Sequence, residues 1–323
     1  MRQEIYERLL AISRNPQNYM DVPEMPEQQT QRPSIVASLY RGTEQIALMP
    51  TPWRGEPFFH RHDDIEISYL LSGQVQMDVE DRSFQMKPGD FLVLDTNCVH
   101  RPRVENAETL LIGINVKPQF FDDVFFHRFY RNDPITTFFA KAIYSGKSTR
   151  RYLYFEAPDR GAFRDSVERM LEEYYEPQIC SQELIESYMM IFFGEMVRAH
   201  AMRPEHTVMR ELEDQLPQLG NIIGYMNAHL DTVTRQDIAQ QFGYSYSYIT
   251  KIIRETTGSG FVELRRRLRL QHAEKLLMTT DFPILQVAEL SGFSGTSDFY
   301  RLFRQEFAMT PQEYRQQHPR NTK

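Results

Sequence analysis

The chain has 323 residues, 41% of them hydrophobic and 25% charged, with a net charge of −7. No apolar run approaches a membrane span, no signal-peptide core follows Met1, and two cysteines, Cys98 and Cys180, are too few for a disulfide framework. These features argue against a membrane protein or a disulfide-stapled secreted one, and lead us to expect a cytoplasmic globular chain of two or three domains.

Taken in order, residues 1–33 begin with a short amphipathic helix candidate within residues 1–20 (Ile5, Leu9, Ile12) and continue into a Pro- and Gln-rich stretch from Pro23 to Pro33, which reads as a mobile arm. Residues 34–118 change to short strands and turns. Ile35–Tyr40, Ile65–Leu71, Gln74–Val79, Phe91–Leu94 and Thr109–Ile114 are β-like by alternation or β-branched content. Ser72-Gly73, Glu80-Asp81 and Pro88-Gly89-Asp90 supply turns, and the whole predicts a small antiparallel barrel.

Residues 119–203 are predicted helical, with short helices around Phe121–Tyr130 and Ile135–Ser145. A longer helix places Phe163, Val167, Met170, Leu171 and Tyr174 on one side. Ser181 is the expected cap of a last helix running to about Met202. That helix is apolar over more than one face, as a helix shared with a second subunit would be. Residues 204–220 read as a linker.

Residues 221–323 contain one pattern twice. Ile238-Ala239 precedes Gly243-Tyr244 as Val287-Ala288 precedes Gly292-Phe293. Ala permits close helix packing, Gly takes a positive-φ turn, and the aromatic fills the corner. Ser245 or Ser247, and Ser294 or Ser297, are available to cap the helix that follows. Each following helix buries one apolar face (Ile249, Ile252, Ile253; Phe299, Leu302, Phe303) and leaves Lys251, Arg254, Arg301 and Arg304 outward. Two helices joined by a tight Gly turn, the second one basic, form the helix-turn-helix that reads a major groove. Charge agrees in sign: residues 221–323 carry 13 Lys and Arg against 10 Asp and Glu, whereas residues 1–220 carry 24 against 34. Between the two units Phe261–Met278 is one continuous helix containing Arg265-Arg266-Arg267-Leu268-Arg269. These arginines either face solvent or touch phosphate, and Arg269 can equally be pinned by Glu274 or Asp298.

The C-terminal hundred residues resemble the AraC/XylS family of transcription regulators. The carrying residues are Arg269, Ala273, Leu276-Leu277, Pro283-Ile284, Val287-Ala288, Gly292-Phe293, Ser297, Phe299, Arg301, Phe303-Arg304, Phe307, Thr310-Pro311 and Tyr314-Arg315. Two positions depart from the pattern: Ala308 stands where Gly is usual and Leu264 where Tyr is common. The resemblance implies that both second helices enter the major groove about one DNA turn apart. Their contact residues would be Tyr246, Ser247, Thr250, Lys251 and Arg254 in the first copy, and Thr296, Ser297, Tyr300, Arg301 and Arg304 in the second. Lys251 and Arg301 suit guanine, and Arg254 and Arg304 suit phosphate.

The N-terminal half resembles a cupin-type sensor barrel, through Gly55, His60, His62, Glu66, Gly73, Pro88-Gly89-Asp90 and His100. In cupin enzymes two His, a Glu and a third His of this pattern hold a divalent metal. In regulators the same residues also serve hydrogen bonding at the barrel mouth. His60, His62, Glu66 and His100 are therefore candidates for both metal and effector contact, joined for the effector by Tyr69 and Trp53.

The expected fold is α+β in two domains: an antiparallel β-barrel, cupin-like, with C-terminal helices for dimerisation, then an all-α DNA-binding domain with two helix-turn-helix motifs. The expected function is a ligand-responsive, sequence-specific regulator of transcription, by the resemblance an activator. It has no catalytic residues and requires no cofactor, although a divalent metal fits the barrel. Its partners would be double-stranded DNA, a small-molecule effector, RNA polymerase and a second copy of the chain, with no membrane. The competing reading is a metal-dependent cupin enzyme fused to a DNA-binding domain.

Overall fold

The computed structural model describes residues 1–15, 34–35, 40, 44–52, 59–96, 98–121, 125, 134–144, 151–156, 160–210 and 219–318. It divides into two compact units. One comprises Met1–Leu39, Ile46–Lys117 and Lys147–Glu213; the other comprises Tyr40–Gln45, Pro118–Gly146 and Asp214–Lys323.

In the first unit the strands are β1 (Ser34–Ile35), β2 (Ile46–Pro50), β3 (His60–Arg61), β4 (Ile65–Ser72), β5 (Val75–Val79), β6 (Arg82–Met86), β7 (Phe91–Leu94), β8 (His100–Val104), β9 (Leu110–Val116), β10 (Tyr152–Phe155) and β11 (Thr207–Arg210). They form two sheets, ordered β1-β3-β8-β5-β6 and β11-β10-β7-β4-β9-β2. Every pairing is antiparallel except the short β1–β3 pair. Leu70, Leu92, Leu94 and Leu111 of the larger sheet and Val75, Met77, Val79 and Met86 of the smaller belong to one buried cluster, the core between the sheets. This is the expected antiparallel barrel, flattened into two faces.

Helices cover the outer face of the larger sheet. Phe163 of α3 (Arg160–Tyr175) and Phe192 of α4 (Ser181–Met202) pack on Phe91 with ring centroids 4.9 and 5.0 Å apart. Alternation along β4 decides which residues meet them: Tyr69 points to this side, 6.4 Å from Phe192, while Glu66 and Ser68 point inward. The predicted stripe on α3 is buried at all five positions. On α4, Ile185, Met189, Phe192, Phe193 and Met196 are buried, while Leu184 and Ile191 stand exposed.

Several expectations need correction here. The N-terminal helix candidate does form, but it is packed down and is no mobile arm. Residues Gln3–Arg14 form α1, with Ile5, Leu9, Leu10 and Ile12 buried. Ser13 Oγ donates to Thr51 O (3.0 Å) and Arg8 Nη1 to Tyr175 O (2.9 Å). Residues 16–33 lie outside the described residues, as do most of 121–130. The cap of α4 is Cys180 in the left-handed region, without a side-chain bond. Ser181 instead accepts from the Gln178 amide and donates to Glu173. Part of the supposed linker is structured: Thr207–Arg210 pairs with β10 at the sheet edge.

The helical stretch 119–203 is also divided by packing. Residues 118–146 belong to the second unit, where α2 (Pro134–Tyr144) lies against α5 (Leu219–Ala228) and α7 (Tyr246–Thr257). Ile135, Phe138 and Phe139 are buried there. Gln119 Nε2 donates to the buried Glu274 carboxylate at 3.2 and 3.4 Å, and the Tyr314 hydroxyl donates to the same group. Burial, and then the neighbouring carboxylate, push the Tyr314 hydroxyl far above its ordinary range.

The rest of that unit is the repeat. Helices α6 (Arg235–Phe242) and α7 make the first helix-turn-helix, and α9 (Ile284–Leu290) and α10 (Thr296–Phe307) make the second. Between them runs α8 (Phe261–Thr279), and α11 (Pro311–Gln317) closes the chain's described part. Gly243 and Gly292 take φ of +69° and +79° in the two turns, as the pattern requires.

Candidate DNA-reading helices and barrel site

The second helix of each unit presents its polar side outward. In α7, Ser245 is the N-cap and accepts from the Tyr248 amide, as expected. In α10 neither Ser294 nor Ser297 caps; the N-cap is Gly295, with no side-chain bond. Counting from the two helix starts, Lys251 and Arg301 share one register position, and Arg254 and Arg304 another. All four are exposed. Ile249, Ile252 and Ile253, and likewise Phe299 and Phe303, are buried beneath them.

The remaining candidates are less equal. Ser247 and Ser297 are exposed, while Thr250, Thr296 and Tyr300 are half-buried. Thr250 Oγ1 donates back to Tyr246 O at 3.0 Å, and Tyr300 leans on the core of the second unit. Tyr246 is 51% exposed, and Arg235 of the preceding helix lies over its ring at 4.6 Å.

The Arg cluster of α8 resolves differently from either partner weighed for it. Arg269 donates to the main-chain carbonyls of Leu230 (2.8 Å) and Asp231 (3.0 Å), not to Glu274 or Asp298. Arg265 donates to Val233 O at 2.9 Å. Both arginines thus tie the linking helix to the loop that enters the first unit. The Gly292 turn packs on the same point: a Cβ there would stand 3.0 Å from Arg269 Nε, Asp231 Cα and Leu230 O. One contact therefore joins both helix-turn-helix units.

In the barrel, the four metal-type residues converge. His60 and His100 are directly paired across β3 and β8, His62 follows β3, and Glu66 comes from β4 of the facing sheet. One ligand atom from each can be chosen so that all lie within 4.8 Å of one another. His62 Nε2 and His100 Nε2 both stand 3.0 Å from Glu66 Oε2. Yet Glu66 Oε2 and His100 Nε2, both buried, have no aligned hydrogen-bond partner. Burial alone would raise the Glu66 pKa, but the imidazoles of His100 and His62 hold it well below the ordinary carboxylate range. Ser68 Oγ donates to Glu66 Oε1 at 2.8 Å, and His100 Nδ1 lies 3.3 Å from Cys98 O, which leaves Nε2 turned to the cluster.

A convergent His₃Glu set with orphaned buried atoms fits a divalent transition metal. Asn115, paired with Glu66 across β4 and β9, adds a buried Oδ1 without a partner. Sequence reading missed it because it sits in an apolar strand far along the chain.

The other effector candidates are not with them. Tyr69 is buried on the opposite face of β4, its hydroxyl pushed up to about 12 first by burial. It is a core residue between sheet and helices, because one step along a strand reverses the side. Trp53 lies outside the described residues.

Residues 238–317 match a helix-turn-helix domain model and residues 48–115 a cupin domain model. The chain joins a cupin domain to a helix-turn-helix domain. Over 94 residues the chain is 39% identical to the regulatory protein PocR of Salmonella typhimurium, covering 29% of the chain and 31% of that protein. It is 36% identical over 90 residues to the uncharacterized HTH-type transcriptional regulator YijO of Escherichia coli, covering 28% and 32%. The chain thus spans about a third of the length of these curated relatives. Among solved structures, ToxT from Vibrio cholerae aligns over 85% of the chain and 98% of its own, at 16% identity and a TM-score of 0.39.

Proposed function

We propose that this cupin–AraC-type chain regulates transcription by binding a specific DNA site through α7 and α10, in response to a ligand taken in the barrel. The carrying observation is Lys251 and Arg301 exposed at one register position of two equivalent helices, on units joined through Arg269. Such helices read two short elements about one turn apart. Relatives named as regulators support the same reading. It places the work in the cytoplasm, with RNA polymerase as the partner in activation and a second copy as the partner in dimerisation. The exposed Leu184 and Ile191 on α4 supply an apolar surface for that copy. Among the described residues no helix is long and apolar enough to cross a membrane.

Selection from a random DNA pool at defined salt tests this. The wild type is expected to enrich a site with two elements. Lys251→Ala and Arg301→Ala are each expected to weaken binding roughly 10-fold, within the 1–3 kcal/mol of a bidentate base contact. A pool left unenriched, both alone and with cell extract supplying an effector, overturns the reading.

A second proposal concerns the barrel. His60, His62, Glu66 and His100 would hold a divalent metal, which would supply a Lewis-acidic point for an oxygen-bearing effector. Ser68 and the Cys98 carbonyl would hold Glu66 and His100 in place. We expect the purified protein, after exposure to Zn²⁺, Mn²⁺ or Ni²⁺ and dialysis, to keep about one ion per chain. His60→Ala and Glu66→Gln should abolish retention. Loss-free variants, or a wild type that keeps no ion, would leave the cluster as a hydrogen-bonding group at the barrel mouth. Metal-dependent turnover of a small molecule would favour the enzyme reading instead.

A further inference from the structure

Helix α10 carries an acid that its own cap does not use. Asp298 is the third residue of the helix, where an acid ordinarily closes a capping box. Asp237 does so with Thr234 in α6, and Glu313 with Thr310 in α11. In α10 the N-cap is Gly295, which has no side chain to answer. Asp298 turns instead along the exposed face and accepts from Arg301 Nη2 at 3.1 Å. The equivalent position in α7 is Tyr248, whose ring packs 5.0 Å from Tyr244. The two helices therefore differ where their central basic residues begin.

A carboxylate on a face turned to DNA is repelled by phosphate, so it weakens binding to arbitrary sequence. It becomes favourable only where a base amino group meets it, and in the major groove cytosine N4 is the donor a carboxylate accepts from. The guanidinium has five N–H donors, so Arg301 keeps enough to reach guanine O6 and N7 while bonded to Asp298. Held by its neighbour, it also has less freedom to lose on binding. An exposed pair of this spacing contributes little to folding.

We propose that Asp298 is a specificity-determining residue of the second helix-turn-helix. It holds Arg301 toward guanine and favours a base pair that presents cytosine N4 beside it. This rests on the reading that α10 enters the major groove. The test is selection from a random pool at two salt concentrations with wild type, Arg301→Ala, Asp298→Ala and Asp298→Asn, each also melted thermally.

The element altered by Arg301→Ala identifies the bases under α10. At that element Asp298→Ala should reduce discrimination about 10-fold, and its binding to random DNA should rise about 3-fold. Asp298→Asn should move the preference toward adenine, the base Asn pairs with. The element under α7 should not change. A wild type that enriches a site, beside an Asp298→Ala that keeps wild-type preference at every position, overturns the proposal alone. So does an Asp298→Ala that loses affinity for all sequences in step with a lowered melting temperature. A wild type that enriches nothing defeats the DNA reading and this proposal with it.

Discussion

Gly243 and Gly292 look interchangeable in the sequence, and both adopt positive φ, but their surroundings differ. Among the described residues, leaving out its neighbours in the chain, nothing lies within 4 Å of a Cβ built on Gly243, whereas on Gly292 it meets Arg269 and the 230–231 backbone at 3.0 Å. Gly243→Ala should therefore lose only the left-handed preference, about 1 kcal/mol. Gly292→Ala adds displacement of backbone and of the Arg269 bonds, and should lose about 2–3 kcal/mol. Ala308, at φ +58° after α10, already bears the strain that the usual Gly avoids. Ala308→Gly should gain about 1 kcal/mol. Urea denaturation of the three variants checks the order, and equal losses at the two glycines would contradict it.

Helices of the repeat begin in two ways, and this sets their response to acid. Thr234 with Asp237, and Thr310 with Glu313, close reciprocal capping boxes. The Thr234 hydroxyl, then its amide, hold Asp237 below the ordinary carboxylate range; the Thr310 amide, then its hydroxyl, do so for Glu313. Folded values below unfolded ones mean that this stabilisation is complete above the ordinary carboxylate pKa and is lost as pH falls through the folded value. Thr234→Ala and Thr310→Ala should each lower stability by about 1 kcal/mol at neutral pH. The difference from wild type should shrink in acid, as melting curves between neutral and acid pH would record. A difference constant with pH would remove the carboxylates from the account. At this scale the long periodic elements were legible: the stripe on α3 and the buried faces of α7 and α10 lie where spacing put them. Two of the short strands were not. His60–Arg61 has too few residues to show alternation and Thr207–Arg210 lies in a polar stretch read as a linker; they are strands because β8 and β10 lie alongside.

For the molecule as a whole, the sequence by itself determined what depends on neighbours in the chain. A Gly turn after a short helix, a capped or polar start and an apolar face at helical spacing recur twice because each copy is a local structure. The types needed for a metal site were legible for the same reason in His60, His62 and Glu66, which lie close in sequence where β3 passes into β4. Tertiary structure decided whatever depends on residues far apart. It brought His100 to the other three, and Asn115 with it. It turned Tyr69 away from them into the helical layer, since β4 has different company on its two faces. It spent Arg265 and Arg269 on main-chain carbonyls more than thirty residues back, a demand for hydrogen-bond partners invisible along the helix itself. And it placed Pro118–Gly146 in the unit of the repeat, where Gln119 meets Glu274, because an apolar helix goes wherever a complementary face is left to cover.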